Sequence, residues 1–384
     1  MIACVISSLA TVIALGAILV ARQWLGEIRR ARRAERAFWA RQHRDGLDRL
    51  LADRELAGAV PAPLEVLQQR SVLPNTLQAI VAARELGMLR LIDDSPGLGA
   101  GELAACLGFA ERPVQAWVEL LAAAGVVAQR DGGLVLTEAA RFYLHPDSPF
   151  FDSSLPAPTI SRELLRTLRS GVAAGSKLRW ATGRSHQAAM WGAAMHRFSF
   201  PLGFALDASG LLAGRRTILD VAGGIGSVCV ALAVRDLARQ LTLIELPGSV
   251  ALADQLARCY GVADRVRGLG GDMFKDPWPR PFDAILFTNI FHDWNDASCL
   301  ELARRALASL APGGVVMIQE SLLEEDRPGP LWTAHFSLMM ALDMEGRQFR
   351  PSQLRELLIA AGFVDVRVVP LLGYTSTVIA VRPR

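Results

Sequence analysis

Three carboxylates stand at the ends of apolar runs in the second half of this 384-residue chain: Asp220, Glu245 and Asp272. Asp220 closes Thr-Ile-Leu-Asp (217–220) and is followed by Val-Ala-Gly-Gly-Ile-Gly (221–226), where Gly223, Gly224 and Gly226 have no side chain to keep a ligand from the backbone. The next residues, Ser-Val-Cys-Val-Ala-Leu-Ala-Val (227–234), read as a helix whose N-terminus faces that ligand. Strand, acid, glycine turn and helix in this order are how an α/β sheet holds a nucleotide-like molecule. Glu245 ends Leu-Thr-Leu-Ile-Glu (241–245), where a carboxylate can accept hydrogen bonds from both ribose hydroxyls. Asp272, with Met273, ends a third such segment. His292 follows the apolar run 284–291, and an imidazole at that strand end can take a proton from a bound hydroxyl.

The glycine loop contains neither Lys nor Arg, so nothing in it neutralises a pyrophosphate, and its glycines do not follow the dinucleotide spacing. A ligand with its own positive charge suits Asp220 better. S-adenosylmethionine, with an ammonium and a sulfonium, is such a ligand; the bland alternative is an aspartate that only forms a turn and starts a helix. Methyl transfer from a sulfonium is an in-line displacement, so the protein must mainly place an oxygen near the methyl carbon and remove its proton. A phenol titrates near pH ~10 and a histidine near ~6.5, so the base works while hydrogen-bonded to the hydroxyl.

The elements that position these groups are legible around them. Apolar runs alternating with helical stretches predict a mostly parallel, doubly wound α/β sheet, closed by a C-terminal strand pair formed from 365–370 and 375–382. Asn295 or Asp296 can cap the helix after His292, and Pro312 and Gly313 end that helix before the next strand. Residues 185–206 put Met190, Trp191, Met195, Phe198, Phe200 and Phe204 on a helix just before the glycine turn. That stripe reads as core packing, or as one wall for a planar acceptor, with His335 and Met339 in 332–342 on the other wall.

The N-terminal third predicts different things. Residues 2–20 contain no charge and would extend about 28 Å as a helix, which predicts a transmembrane anchor over 1–21. Arg22, Arg29, Arg30, Arg32, Arg33 and Arg36 on its flank place the rest of the chain in the cytoplasm by the positive-inside rule. Residues 22–63 then read as a basic juxtamembrane helix and linker. Over 64–150, two short helices (101–108 and 112–125) and a strand at 132–137 give a winged-helix pattern. Its second helix offers only Arg112 at its start, too little to neutralise phosphates, and a net charge of +3 adds no case for nucleic acid. The five cysteines show no metal-ligand spacing, which points to a reducing compartment and no metal site.

From about residue 64 onward the chain resembles the plant-type, caffeate- and acetylserotonin-like O-methyltransferases that use S-adenosylmethionine, a class with bacterial small-molecule members. The resemblance rests on Asp-Val-Ala-Gly-Gly-Ile-Gly (220–226), Glu-Leu-Pro (245–247), Gly-Gly-Asp-Met-Phe (270–274), His-Asp-Trp-Asn-Asp (292–296), Leu-Ala-Pro-Gly-Gly (310–314) and Ala-Ala-Gly-Phe (360–363). It implies a seven-stranded, Rossmann-like catalytic domain over 151–384, behind a winged-helix domain that forms a homodimer and closes over the partner's active site. It also implies that Asp220, Gly223 and Gly224 hold the methionine part of the donor, Glu245 the ribose with Leu246 alongside, and Asp272 and Met273 the adenine. His292 would be the base, oriented by Glu320 and by the residue at 348. The family usually has a glutamate at that last position, and this chain has Gln348. Thr288 replaces a lysine found in some members, and Ala222 replaces the first loop glycine. The implied activity is methylation of a hydroxyl on a lipophilic aromatic, polyketide, carotenoid or quinone-like molecule. A carbon methyltransferase of the chlorin-modifying type and a non-catalytic donor-binding scaffold are the alternatives.

Overall fold

Thr217–Val221 (β3), Gln240–Glu245 (β4), Phe282–Thr288 (β6) and Leu310–Ser321 (β7) are rich in Val, Ile and Leu because they are covered on both faces, while Val266–Gly270 (β5) is a half-exposed edge strand beside β4. They pair in parallel, and Thr375–Val381 (β9) and Val364–Leu372 (β8) add an antiparallel edge, giving the order β5-β4-β3-β6-β7-β9-β8. The computed structural model describes residues 64–130, 132–148, 162–173, 185–279 and 281–384, and Gly26, Arg29, Arg30 and Arg33 before them.

Alternate residues of each strand enter different cores. Ile218, Leu243, Leu286 and Met317 pack with Ser185–Ala208 (α8), Ser227–Arg235 (α9) and Pro247–Cys259 (α10). Leu219, Ile285, Phe287 and Ile318 pack with Asp296–Ser309 (α11) and Pro351–Ala361 (α13) on the other face. Strand order reverses beside β3, whose neighbours β4 and β6 lead to helices on opposite faces, so a crevice opens at the carboxyl ends of β3 and β6. The glycine loop and His292 both emerge there.

The helix before β7 ends at Ser309 and the chain enters the strand at Leu310, without the intervening turn that Pro312 and Gly313 suggest. Instead the pairing skips from Phe282↔Leu310 to Ala284↔Val315, so the Ala-Pro-Gly-Gly segment is absorbed as a bulge with Gly313 at φ 76°.

A third core lies towards the N-terminus. Leu64–Ser71 (α1), Leu73–Glu85 (α2), Met88–Asp94 (α3), Ala100–Leu107 (α4) and Glu111–Ala123 (α5) are followed by the hairpin Val127–Arg130 (β1) and Gly133–Leu136 (β2), then Glu138–Tyr143 (α6). Trp117 of α5 is buried at its centre and donates its indole N–H to Ala79 O at 3.1 Å. Leu331–Asp343 (α12), inserted after β7, lends Ala334, Leu338 and Ala341 to this core, so the N-terminal helices and the sheet are joined by shared apolar packing. Arg162–Ser170 (α7) also buries Leu168 in it.

The expected membrane anchor and cytoplasmic placement require correction. Among the described residues no helix is long and apolar enough to cross a membrane. The longest, α8, has 24 residues but includes His186, Gln187, His196, Arg197 and Asp207 and packs on the sheet. Residues 2–20, on which the anchor rested, lie outside the described residues, as does most of the basic stretch 22–63.

Close approach of α8 to α9 depends on Gly203, where a Cβ would fall 2.6 Å from Ala231 Cβ and 3.2 Å from Val228 O. Gly203→Ala is therefore expected to destabilise the fold by about 1–3 kcal/mol, as overpacked core substitutions do. A lowered urea midpoint with an unchanged m-value checks this; an unaltered midpoint would show that the two helices can separate freely.

Candidate active site

The turn after β3 needs backbone that side chains disfavour. Ala222, Gly224 and Gly226 have φ of 55°, 63° and 74°. A Cβ at Gly223 would meet Asp220 Oδ2 at 2.3 Å and Leu243 Cδ1 at 2.6 Å, so glycine there is a steric requirement. The loop is tied to the neighbouring strand end by Glu245, whose carboxylate accepts from Gly224 N at 2.9 Å and Leu246 N at 2.7 Å. Gly223, Gly224, Gly226, Glu245 and Leu246 thus form one connected backbone cradle around Asp220.

Asp220 is fully buried, and its Oδ2 accepts a 3.5 Å hydrogen bond from the Cys229 thiol while Oδ1 has no partner. Burial, opposed by the Cys229 hydrogen bond and reinforced by the Glu245 charge, raises its carboxyl pKa from 3.8 to about 7. A buried carboxylate oxygen without a donor is costly, and a cationic ligand group relieves that cost. This orphaned oxygen, together with the bare glycine backbone, fits the ammonium end of S-adenosylmethionine. Two strands away, Asp272 follows β5 and accepts from Lys275 Nζ at 2.8 Å and Phe274 N at 2.9 Å; the lysine bond is the main reason its pKa is lowered. Met273 O accepts from Trp278 Nε1 at 3.0 Å, which fixes the same turn.

His292 lies in a 3-10 turn, Phe291–Asp293, between β6 and α11, and Asn295 caps that helix by accepting from Ser298 N at 3.0 Å. The imidazole is 1% exposed, and its Nδ1 lies 2.6 Å from Glu320 Oε2, while its backbone N donates to Glu320 Oε1 at 3.2 Å. Glu320 is the penultimate residue of β7 and fully buried, so the strand end holds the ring in one orientation. The Gln348 amide also reaches Nδ1, at 3.1 Å. One ring nitrogen cannot donate to Glu320 and accept from an amide N–H together. The shorter carboxylate contact assigns the proton to Nδ1, and turning the amide gives the otherwise unpartnered Gln348 Oε1 a donor. Nε2 then carries the lone pair, 3.4 Å from Asp293 Oδ1.

Other residues that the sequence places on the acceptor walls are dispersed. Phe336 meets the His292 ring edge-on at 5.4 Å between centroids, and Trp332 stacks on Phe336 at 5.9 Å. His335, on the same helix, is buried with neither ring nitrogen partnered, and Met339 is 42% exposed. Met190 and Trp191 occupy the first turns of α8, Met195 is half-buried and Phe198 is exposed. Sequence reasoning missed Asp293, Cys229, Trp332 and Phe336. The first two adjoin or follow by helical spacing residues already singled out, and the aromatics lay within the chosen 332–342 stretch. Among the described residues, no group of three or more His, Cys, Asp or Glu could hold a metal ion.

A mostly parallel seven-stranded sheet with a glycine loop after one strand and a carboxylate-paired histidine after its neighbour is the class I methyltransferase fold. Residues 188–364 match the O-methyltransferase domain family. Over 301 residues the chain is 29% identical to 3-hydroxy-5-methyl-1-naphthoate 3-O-methyltransferase of Streptomyces sahachiroi, spanning 76% of this chain and 87% of that one. It is 38% identical over 157 residues to acetylserotonin O-methyltransferase of Mus musculus, a match that covers 40% of either chain. An O-methyltransferase family 2 protein from Planctomyces limnophilus, solved in complex with apigenin, superposes with a TM-score of 0.74 at 27% identity, covering 85% of this chain and 98% of that one. Human N-acetylserotonin methyltransferase, solved with S-adenosylmethionine, shares the fold at a TM-score of 0.54 and 23% identity, over 85% of this chain and 99% of that one. The chain is an S-adenosylmethionine-dependent O-methyltransferase.

Proposed function

We propose that the enzyme methylates a hydroxyl on a lipophilic aromatic or polyketide-like molecule, with His292 as general base. The observation that carries this reading is the 2.6 Å contact between His292 Nδ1 and Glu320, one strand over from the orphaned Asp220 oxygen. Relatives whose names specify a hydroxynaphthoate, an acetylserotonin or an apigenin complex support a planar hydroxylated acceptor. Trp332 and Phe336 beside the base supply a flat surface for one.

In this reading Asp220 takes the donor's ammonium, and the amides and bare backbone of Gly223, Gly224 and Gly226 line its methionine part. Glu245 turns its carboxylate to the ribose with Leu246 alongside, and Asp272 and Met273 flank the adenine. When bound, S-adenosylmethionine supplies an electrophilic methyl on sulfur. His292 Nε2 accepts the acceptor's proton as the oxygen–carbon bond forms and the sulfur–carbon bond breaks. Glu320 and Asp293 stabilise the resulting imidazolium, and Gln348 steers the ring without adding charge. Residues 64–150 serve as a winged-helix dimerisation domain and 151–384 as the catalytic domain.

The test is turnover of hydroxylated naphthoates, flavonoids and indoles by the full chain with labelled donor. The expected product is heavier by one methyl on oxygen. Methylation exclusively at carbon, or donor binding with no product from any acceptor, would overturn the reading.

A further inference from the structure

Arg112 is the single cation that the sequence offers at the head of α5, and no function above uses it. Its guanidinium is partly buried and turned to backbone. It donates to three backbone carbonyls outside its own helix: Nη1 to Met344 O at 3.0 Å and Gly346 O at 3.4 Å, and Nη2 to Gly171 O at 3.2 Å. Met344 and Gly346 begin the segment that delivers Gln348 to the base.

That segment is fitted tightly against His292. Glu345 N donates to Asp293 O at 3.2 Å, and a Cβ on Gly346 would fall 2.2 Å from His292 O, so the two backbones lie in direct contact. Gln348 N donates to Ser337 Oγ at 3.2 Å, and its amide reaches His292 Nδ1. Just beyond, Arg350 Nη1 donates to Glu119 Oε1 at 3.2 Å. Glu119 belongs to α5, as Arg112 does. One helix of the N-terminal core therefore grips the segment on both sides of Gln348.

The geometry points to Arg112 and Glu119 as positioning residues for the base: α5 is a clamp that holds the 344–350 segment, and through Gln348 the imidazole, in its working orientation. This rests on His292 being the base. It gives the N-terminal helices a part in catalysis, because a shift of α5 moves the group that steers the ring. Arg suits the task where Lys does not, since a planar fork can serve several carbonyls at fixed angles and a point charge cannot.

The experiment is a double-mutant cycle on the full chain. Arg112→Ala is expected to lower kcat by about tenfold to a hundredfold, the scale of a small misplacement of a catalytic group, with donor affinity unchanged and Arg112→Lys failing to rescue. In a Gln348→Ala background the same change is expected to cost less than about twofold, because the group being positioned is gone. Additive losses, rescue by Lys, or equal loss of donor affinity would overturn the clamp. A second readout needs no acceptor: the downfield Nδ1–H proton resonance of His292 is expected to weaken or shift in Arg112→Lys and in Glu119→Gln. A resonance unchanged in both overturns the inference. Failure of the wild type to turn over any acceptor instead counts against the proposed function, and leaves this readout standing.

Discussion

His292→Ala is expected to lower kcat for oxygen methylation by about 10²- to 10⁴-fold, the usual contribution of a positioned general base, while leaving S-adenosylmethionine affinity unchanged. The selectivity follows from geometry. His292 is bonded to Glu320 and Gln348 after β6, whereas the glycine loop and Glu245, proposed to hold the donor, are built on β3 and β4. Glu320→Gln is the sharper companion. An amide beside Nδ1 can donate as readily as accept, so it permits the tautomer with the proton on Nε2, which cannot take the acceptor's proton. With the amide N–H turned to Nδ1, the amide oxygen keeps the bond from the His292 backbone N–H that Glu320 Oε1 accepts, so the turn itself is retained. Steady-state kinetics for the rates and calorimetry for the donor would check both. A His292→Ala enzyme with wild-type kcat would remove the imidazole from the mechanism.

Much of this was written in local sequence. The strand-acid-glycine-helix order is forced by sterics that act within ten residues, as the clash between a Cβ at Gly223 and Asp220 shows. The apolar runs of β3, β4, β6 and β7 had no competing periodicity, because burial on both faces leaves little room for polar alternation. The pairing of His292 with Glu320 was legible only through resemblance to a known family, since 28 residues separate them and only the parallel register of β6 and β7 brings them together. The acceptor walls were less legible. A helical stretch rich in Met and aromatics looks alike whichever face meets the pocket, and rotation of α12 put Phe336 at the base and His335 in an apolar burial. Arg112 was invisible as a clamp because its partners are backbone carbonyls, which leave no trace in residue type.

Asp220 is expected to make donor binding depend on pH in a direction opposite to its effect on stability. The carboxyl, ordinarily at 3.8, is raised to about 7 by burial, so between these values the folded protein keeps a proton that the unfolded chain has released. The folded state binds more protons there, and the stability tied to Asp220 is fully present below 3.8 and is lost as pH rises through about 7. The donor's ammonium prefers the ionised carboxylate, so its apparent affinity is expected to rise with pH, by about tenfold per unit below the folded pKa, and to level off above it. Binding below pH 7 should release close to one proton per donor, measurable by calorimetry in buffers of different ionisation enthalpy. Asp220→Asn keeps the shape and removes the charge. It is expected to cost about 2 kcal/mol or more of donor binding above the plateau, as truncating one member of a buried charged pair does, and to flatten the pH dependence. The same variant should gain stability relative to wild type at pH 8, where the wild-type fold must bury an ionised carboxylate. A donor affinity that does not vary from pH 5.5 to 8.5 and is equal in both proteins would place the ammonium elsewhere, and the unpartnered oxygen of Asp220 would then need a different occupant.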